Sequence, residues 1–371
     1  MVTPPPNPRA PLGPLTTLGV GGPCDQMAEV KSGELSSVLA QARQDDQPIL
    51  LLGGGSNLLI SDSGFRGLVV RLNDDTRAAR AVGDRVEVQV GAGVVWDELV
   101  SWATSQGLRG IECLSGIPGL VGAAPMQNIG AYGQDVGESL VAVDALHLHS
   151  GEARRFSTAE CELGYRTSRF KHRERGQWAV LSVTLSLCQG GAPSLRYAEL
   201  ARRVEEALGP SPSVEGVRQV VLSIRASKSM ILDPEDTNTA SAGSFFTNPV
   251  VTDTTSEDVR RLASSLGVAG PMPSWKTESG VKLAAGWLIE RAGFARGWGI
   301  GAAGLSTRHT LAIINRGGAS AHDVLRVAAT VRRGVRETFG VSLIPEPVFV
   351  GFEAGTDPSH VLDAAEHELE D

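Results

Sequence analysis

The feature that most constrains the fold is a glycine-rich turn directly after the apolar run at residues 48–52. The turn consists of Gly53, Gly54, Gly55, Ser56 and Asn57. Such a turn after a buried strand points several backbone N–H groups at one anion, typically a phosphate. The residues that follow, up to 72, predict strand, turn and strand, whereas dinucleotide folds and P-loops place a helix after the glycines. The sequence therefore predicts a phosphate cradle of neither the Rossmann nor the P-loop type.

A second glycine-rich segment runs from Ser115 to Gly137 and is rich in small residues, with Asn and Gln among them. A backbone with so few side chains lies close to a planar ligand and offers it N–H and C=O groups. Taken alone, the segment is equally well explained as a tightly packed loop without a ligand. Together with the phosphate cradle, it favours a nucleotide-type cofactor.

Composition excludes several function classes. The 371 residues carry a net charge of −8, which argues against a protein whose main role is to bind nucleic acid. The apolar runs are too short to insert into a membrane, and the proline-rich start lacks the apolar core of a signal peptide, so we expect a cytoplasmic protein. The four cysteines are scattered without metal-ligand spacing, which favours reduced thiols and no metal site.

The chain divides into two regions at the glycine- and proline-containing stretch 188–193. Before it, strand pairs alternate with helices, an α+β pattern. After it, apolar spacing predicts an α/β region with helices at 198–208, 214–226, 256–266, 283–293 and 321–337. Residues 1–14 are predicted to be a flexible N-terminus, and residues 354–371 an acidic, disordered tail.

Three polar residues lie in surroundings that suit chemistry. Arg166 follows a tyrosine and precedes hydroxyl residues, as in sites that grip a carboxylate or phosphate. Ser244 lies between a glycine and two phenylalanines, outside any nucleophile elbow. Glu346 is held between Pro345 and Pro347, which suits a positioned acid or base. Each alone is also explained by a surface ion pair, a local backbone hydrogen bond or an ordinary exposed carboxylate.

Six blocks, in this order, resemble the UDP-N-acetylenolpyruvoylglucosamine reductase (MurB) family over about residues 15–351. They are Gly53–Asn57, Gly116–Gly119, Gln127–Gly133, Gly164–Arg166, Gly243–Pro249 and Lys282–Ile289. The resemblance implies a two-subdomain FAD-binding unit of the vanillyl-alcohol-oxidase (PCMH) type at 15–190, with subdomains at about 15–72 and 73–190. It further implies an α/β substrate-binding domain at 191–353.

The resemblance also implies an activity. The family reduces the enolpyruvyl group of UDP-N-acetylglucosamine enolpyruvate to UDP-N-acetylmuramate in peptidoglycan biosynthesis. The implied cofactor is non-covalent FAD, with NADPH as co-substrate. The two glycine segments contain no histidine that could tether the flavin. We expect a monomer with no nucleic-acid partner.

By match to the family motifs, Ser244 is the expected proton donor, and Arg166 and Glu346 complete the catalytic set. The expected cofactor-binding residues are Gly53, Gly54, Gly55, Ser56, Asn57, Gly116, Ile117, Pro118, Gly119, Gly122, Ala123, Gln127, Asn128, Gly130 and Ala131. The expected substrate-binding residues are Tyr132, Tyr197, Asn248 and Lys282, with Tyr197 on a loop that closes over the substrate. A family tyrosine expected shortly before Lys282 is missing, and Trp275 is the nearby aromatic residue.

Two other functions are compatible with the same fold. One is an oxidase that uses oxygen on an alcohol. The other is a flavin- or UDP-sugar-binding protein without turnover. The presence of Arg166, Ser244 and Glu346 together argues against the second, because a protein that only binds has no need of all three.

Overall fold

A computed structural model of the chain describes residues 7–267 and 270–369. The described residues form two compact units, and each contains more than one segment of the chain. The first unit comprises the chain up to Ala10, Cys24–Gly55 and Arg66–Ile231. The second comprises Pro11–Pro23, Ser56–Phe65 and the chain from Leu232 onward. One of the points where the chain passes from one unit to the other falls inside the first glycine turn, between Gly55 and Ser56.

The elements alternate along the chain as the α+β pattern predicts. The helices of the described residues are α1 Ser32–Gln44, α2 Trp96–Ser105, α3 Ala198–Leu208, α4 Val214–Ser227, α5 Asp253–Ser265, α6 Ala285–Arg291, α7 Ala321–Phe339 and α8 Pro358–His367. The strands are β1 Asn7–Pro8, β2 Cys24–Val30, β3 Ile49–Leu51, β4 Leu58–Ile60, β5 Phe65–Leu72, β6 Arg77–Val82, β7 Arg85–Gly91, β8 Leu108–Arg109, β9 Gly130–Ala131, β10 Gln134–Asp135, β11 Leu140–His147, β12 Ala153–Ser157, β13 Trp178–Gln189, β14 Ser241–Ser244, β15 Val250–Val251, β16 Ser274–Thr277, β17 Gly280–Leu283, β18 Gly299–Ile300, β19 Ala303–Leu305, β20 Ala312–Asn315 and β21 Val348–Val350.

The first unit contains two large sheets, in line with two subdomains, and the two-stranded pair β9-β10. One has the order β1-β2-β5-β3, and its strands β3 and β5 run parallel. Leu35 and Leu39 of α1 are fully buried in the apolar cluster shared with this sheet. The other has the order β12-β11-β13-β7-β6, with β8 beside β13, and its strand pairs are antiparallel. Trp96 and Leu99 of α2 are buried in the core of this second sheet.

Helices α3 and α4 belong to the first compact unit. Leu200 and Val204 of α3 pack with Val217 and Val221 of α4 in one buried cluster, and this cluster includes Cys113 of the same unit. These two helices therefore bury their apolar faces within the first unit, whose last segment runs to Ile231. The substrate-binding domain at 191–353 stays a prediction.

The second unit is built around α7. Its sheets are β14-β20-β19-β18, β15-β17-β16 and the parallel pair β21-β4. Ten residues of α7 are buried, and Val324, Ala328 and Val331 lie in the core shared with Phe245 and Phe349. An amphipathic helix with so wide an apolar face needs cover on several sides, which these sheets provide within the unit.

Both predicted disordered ends are ordered where the structure describes them. Before residue 15, Leu12 is fully buried and its N–H bonds to the Gly22 carbonyl. In the predicted tail, Val361 and Leu362 of α8 are buried in the core of the second unit. The acidic composition of this tail concealed the helical spacing of its few apolar residues. Residues 1–6 and 370–371 lie outside the described residues.

A buried ion pair holds α8 against α7. The Arg332 guanidinium donates to Glu366 at 2.8 Å, to Asp363 at 2.6 Å and to the Leu343 carbonyl at 3.2 Å. The Arg332 side chain is 8% exposed and that of Glu366 6%. Glu366 also accepts from Arg336 at 2.6 Å, so its carboxylate joins two arginines.

Replacing Glu366 by alanine is expected to lower the free energy of unfolding by about 2 kcal/mol, because Arg332 loses one charged hydrogen-bond partner in a buried site. Chemical denaturation measures the change. Asp363→Ala is the matched control, since the Asp363 side chain is 49% exposed and its loss should cost well under half as much. Equal effects for the two variants would show that burial does not set the strength of this contact.

Candidate functional site

The two glycine segments predicted separately from the sequence lie against each other in the first unit. A Cβ atom on Gly54 would lie 2.7 Å from the Cα of Gly119, closer than real Cβ contacts. On Gly53, by contrast, it would meet only the Ala123 methyl at 3.8 Å. A Cβ on Gly122 would lie 2.6 Å from the Cβ of Ala92. The segments therefore touch backbone to backbone at Gly54, where only glycine fits.

An apolar cavity of about 110 Å³ opens beside this contact. It is lined by residues of both sheets of the first unit and by both glycine segments. These residues are Leu51, Leu52, Gly53, Val70, Leu72, Ala92, Leu120, Gly122, Ala123, Met126, Trp178 and Val180. An apolar wall next to clustered backbone N–H groups suits a ligand that combines a planar ring with phosphates. The chemistry of these residues, an apolar wall beside a glycine turn, therefore fits the ring edge and phosphates of a flavin dinucleotide.

Three predicted site residues hold a strained backbone. Asn128, Tyr132 and Arg166 have φ angles of 46°, 49° and 55°, in the left-handed region that costs a non-glycine residue energy. The Asn128 side chain stabilises its own position, since it donates to the Gly164 carbonyl at 3.1 Å and accepts from the Gly137 N–H at 3.0 Å. Such strain clusters at functional sites because the surrounding structure must enforce it.

Arg166 lies outside the second glycine segment but is hydrogen-bonded to it. Paired backbone hydrogen bonds between Gly164 and Thr167 close the turn that carries it. Its guanidinium donates to the Asn128 carbonyl at 3.4 Å and to the Gly130 carbonyl at 2.5 Å. The structure thus brings this expected catalytic residue together with two expected cofactor-binding residues.

The two expected substrate tyrosines touch each other. The rings of Tyr132 and Tyr197 meet edge to face, with centroids 5.7 Å apart. Tyr197 is the N-cap residue of α3 and is 41% exposed. Burial raises the pKa of both phenols, so each hydroxyl stays protonated at neutral pH and is available as a hydrogen-bond donor.

In the second unit, Ser244 and Glu346 lie on paired backbone segments. Ser244 ends β14 and pairs with Ala312 of β20. The N–H of Glu346 donates to the carbonyl of Phe245, the residue after Ser244, at 2.9 Å. Both side chains are half-buried. The flanking prolines and this pairing fix the Glu346 backbone next to the serine strand, as positioned acid–base chemistry requires.

The first glycine turn contributes to both units. Asn57, expected among the cofactor residues, belongs to the second unit and contacts the Glu346 strand there. Its side chain donates to the Glu346 carbonyl at 3.4 Å, and its carbonyl accepts from the Val348 N–H at 2.9 Å. No sequence pattern indicated this link between Asn57 of the glycine motif and the Glu346 segment.

Asn248 and Lys282 lie near the hairpin of the second unit. The Asn248 side-chain oxygen accepts from the Ala285 N–H at 2.9 Å and so holds the start of α6. Lys282 pairs across the strands with Trp275, and its ammonium lies 5.8 Å from the centre of that ring. Trp275 is 47% exposed. The aromatic residue available beside Lys282 is therefore this tryptophan.

The remaining expected cofactor residues support the second glycine segment in different ways. Ile117 and Ala131 pack against the core of the first unit. The Gln127 side chain accepts from Lys171 at 3.5 Å. The N–H of Gly116 donates to Asp97 at 2.6 Å.

Sequence reasoning missed the charged residues that hold this last position. Burial alone would raise the pKa of Asp97, but hydrogen bonds from Arg218 and the Gly116 N–H keep it below its usual range. Arg218 and Arg225 lie two turns apart on α4 and are both buried. Two arginines on one face of a predicted helix were the available signal, since buried arginines are rare.

Within the described ranges, no cluster of three or more His, Cys, Asp or Glu side chains could hold a metal ion. No helix in those ranges is long and apolar enough to cross a membrane.

Comparison with known proteins adds independent evidence. Residues 30–157 match the family model of an FAD binding domain, and residues 233–350 match that of the UDP-N-acetylenolpyruvoylglucosamine reductase C-terminal domain. The UDP-N-acetylenolpyruvoylglucosamine reductase of Thermobifida fusca is 45% identical over 92% of this chain and 97% of its own length. That of Nocardia farcinica is 48% identical over 92% and 88%.

A solved structure agrees with these matches. The crystal structure of UDP-N-acetylenolpyruvylglucosamine reductase from Thermus caldophilus is similar to this chain, with a TM-score of 0.61 and 28% identity. The likeness covers 92% of this chain and 98% of that one.

Proposed function

Because this chain belongs to the UDP-N-acetylenolpyruvoylglucosamine reductase family, we propose that it is an FAD-containing oxidoreductase that reduces UDP-N-acetylglucosamine enolpyruvate to UDP-N-acetylmuramate with NADPH. The observation that carries the proposal is the backbone contact of Gly54 with Gly119 beside an apolar cavity, in the domain that matches an FAD-binding model. This product is a precursor of peptidoglycan, so the enzyme serves cell-wall synthesis.

The glycine segments are the proposed FAD site. The N–H groups of Gly53, Gly54 and Gly55 are suited to the diphosphate, and the segment from Gly116 to Ala131 is suited to the planar ring. When bound, FAD takes up hydride equivalents from NADPH and passes them to the substrate. The protein's own contribution is to hold the cofactor, to orient the substrate and to supply a proton.

Arg166 is the proposed partner of the substrate carboxylate. Reduction of an enol ether places hydride on one alkene carbon, and negative charge then develops on the carbon beside that carboxylate. A guanidinium binds a carboxylate through two parallel hydrogen bonds and stabilises adjacent charge. The strained φ of Arg166 and its bonds to the glycine segment support a fixed orientation for this grip.

Ser244 is the proposed proton donor. A serine hydroxyl is a weak acid, but an enolate-like carbon is basic enough to take its proton. Glu346 is proposed to orient this donor, and its backbone bond to Phe245 supports that role. The proton passes from the Ser244 oxygen to the substrate carbon, and solvent restores it.

Mass spectrometry of the product tests the proposal. Incubation with NADPH and the enolpyruvyl UDP-sugar should convert the sugar to a species with two more hydrogen atoms, and one NADPH should be consumed per molecule. An enzyme that consumes oxygen and leaves the enolpyruvyl group intact would instead support the oxidase reading. Acid precipitation should release a yellow chromophore, since we propose non-covalent FAD; flavin that stays with the denatured chain would contradict this.

Tyr197→Phe is expected to weaken binding of the UDP-sugar roughly fivefold, the value of about one hydrogen bond, and to leave reduction of the flavin by NADPH unchanged. The reason is that Tyr197 lies partly exposed at the start of α3, where a closing loop would meet the substrate. Substrate titration and the rate of flavin bleaching measure the two effects. Equal losses in both, or no loss in either, would contradict the proposed lid.

Two further properties stay predictions: that the enzyme is a monomer and that it acts in the cytoplasm. Sedimentation of the purified protein tests the first, and fractionation of cells tests the second.

A further inference from the structure

Arg225 of α4 is a buried cation without a carboxylate partner. The residue is 8% exposed. One of its terminal nitrogens donates to the Met230 carbonyl at 2.8 Å, and the guanidinium also bonds to the Tyr132 hydroxyl. Its Nε is buried and has no hydrogen-bond partner. Among the described residues, no carboxylate lies within ion-pair distance of it. Asp97 attracts it from farther away, but both Asp97 oxygens already accept from Arg218.

A neighbour on the same helix shows the contrast. Arg218 lies two turns earlier, is 7% exposed, and grips both oxygens of Asp97 at 2.6 and 2.8 Å. Burying an ion without a counter-ion costs several kcal/mol, so a fold normally supplies the partner, as it does for Arg218. Burial lowers the pKa of Arg225, which expresses the same cost. A bound anion would offset this free-energy cost of burying the Arg225 charge.

The place of Arg225 limits which anion this is. Its Nε lies 3.2 Å from the position of a Cβ on Gly116, and its guanidinium hydrogen-bonds to the Tyr132 hydroxyl. Both residues belong to the second glycine segment, which is proposed to hold the planar ring of FAD. The turn proposed to hold the diphosphate is the separate segment Gly53–Gly55. Arg225 therefore lies at the ring segment and not at the phosphate turn.

The ring of FAD becomes an anion during the proposed reaction. NADPH delivers two electrons and one proton to the neutral ring and leaves as NADP⁺, so the reduced ring carries one negative charge. Charge placed next to a flavin tunes how readily it accepts electrons. We propose that Arg225 is the positive charge that stabilises the reduced flavin ring and raises its reduction potential, an inference that rests on the proposed function.

Two measurements without the enolpyruvyl substrate test this. Sulfite adds to an oxidised flavin to give an anionic adduct, so its dissociation constant reports positive charge at the ring. In FAD-loaded Arg225→Met, sulfite should bind at least tenfold more weakly. The midpoint potential of the flavin should fall by about 30 mV or more, the equivalent of tenfold for a two-electron couple. The affinity for oxidised FAD should change less than threefold.

Two other variants sharpen the test. Arg225→Lys keeps the charge and should retain most of the sulfite affinity and the potential, even if Arg225→Met folds poorly. Arg202→Met removes an exposed cation from the neighbouring helix α3 and should change neither. If Arg225 has only a structural role, the lysine and methionine variants should differ at most in stability. The midpoint potential of their flavins should then be the same.

Three results would overturn the inference. Loss of oxidised FAD affinity, together with loss of ADP binding and an unchanged potential, would assign Arg225 to the diphosphate. Unchanged sulfite affinity and potential with a raised KM for the UDP-sugar would assign it to the substrate. An equal fall in potential for the lysine and methionine variants would exclude charge as the cause. Failure of the proposed function itself would appear separately, as absence of product from the unmodified enzyme.

Discussion

Ser244→Ala is expected to slow reoxidation of the reduced enzyme by the enolpyruvyl substrate by roughly 10²–10⁴-fold, the usual contribution of a positioned proton donor. Reduction of the flavin by NADPH should proceed at the parental rate, because that step needs no proton from Ser244. Stopped-flow absorbance of the flavin measures each half-reaction separately. Ser244→Cys should lose less than the alanine variant, since a thiol also donates a proton.

The competing explanation is that Ser244 only completes a local hydrogen bond at the end of β14. In that case the alanine variant would lose about 1 kcal/mol of stability and keep its turnover. Ser241→Ala is the matched control on the same strand, since its hydroxyl accepts from the Gly243 N–H at 3.2 Å and has no proposed catalytic role. Reoxidation of Ser244→Ala at the parental rate would remove serine from the mechanism.

Gly54→Ala is expected to weaken FAD binding by at least tenfold. The added methyl group would lie 2.7 Å from the Cα of Gly119, and this neighbour is backbone that cannot rotate away. The two glycine segments must then separate, and the N–H groups and the apolar wall lose their common alignment on the ligand. Titration of the apoprotein with FAD, followed by flavin fluorescence, gives the dissociation constant.

Gly53→Ala is the control for this effect. The two positions are adjacent and receive the same methyl group, but at Gly53 it meets only the Ala123 side chain at 3.8 Å, an ordinary contact. FAD affinity should change less than threefold there. Similar losses at both positions would show that the turn needs flexible backbone rather than the close approach of Gly54 to Gly119.

Local patterns predicted the elements well. The apolar spacing at 198–208 and 214–226 corresponds to α3 and α4 within one residue, and the strand–turn–strand reading after the glycines corresponds to β4 and β5. These signals lie within a few residues of each other, so they can be recognised in a single sequence without an alignment. The assignment of α3 and α4 to a unit depended on packing between distant residues such as Cys113 and Val217, which periodicity does not record.

For the candidate site too, the sequence offered local motifs but not the contacts between distant residues. Motifs singled out Arg166, Ser244 and Glu346 as candidates, whose roles stay predictions, and the structure added backbone contacts around them. The sequence did not single out Arg225 as a candidate site residue. The reason is that its buried Nε has no hydrogen-bond partner, which can be recognised only when all of its neighbours are known. The link from Asn57 to Glu346 joins residues 289 positions apart, and no local pattern marks it.

The flavin spectrum under strict exclusion of oxygen shows whether the enzyme reduces an enolpyruvyl sugar through FAD. NADPH should bleach the flavin absorbance of the purified enzyme, and the bleached state should persist. Addition of UDP-N-acetylglucosamine enolpyruvate should then restore the oxidised spectrum, with one equivalent of substrate per flavin. If the enolpyruvyl sugar does not reoxidise the bleached flavin and only air restores its absorbance rapidly, the proposed reductase activity is contradicted and the enzyme is an oxidase.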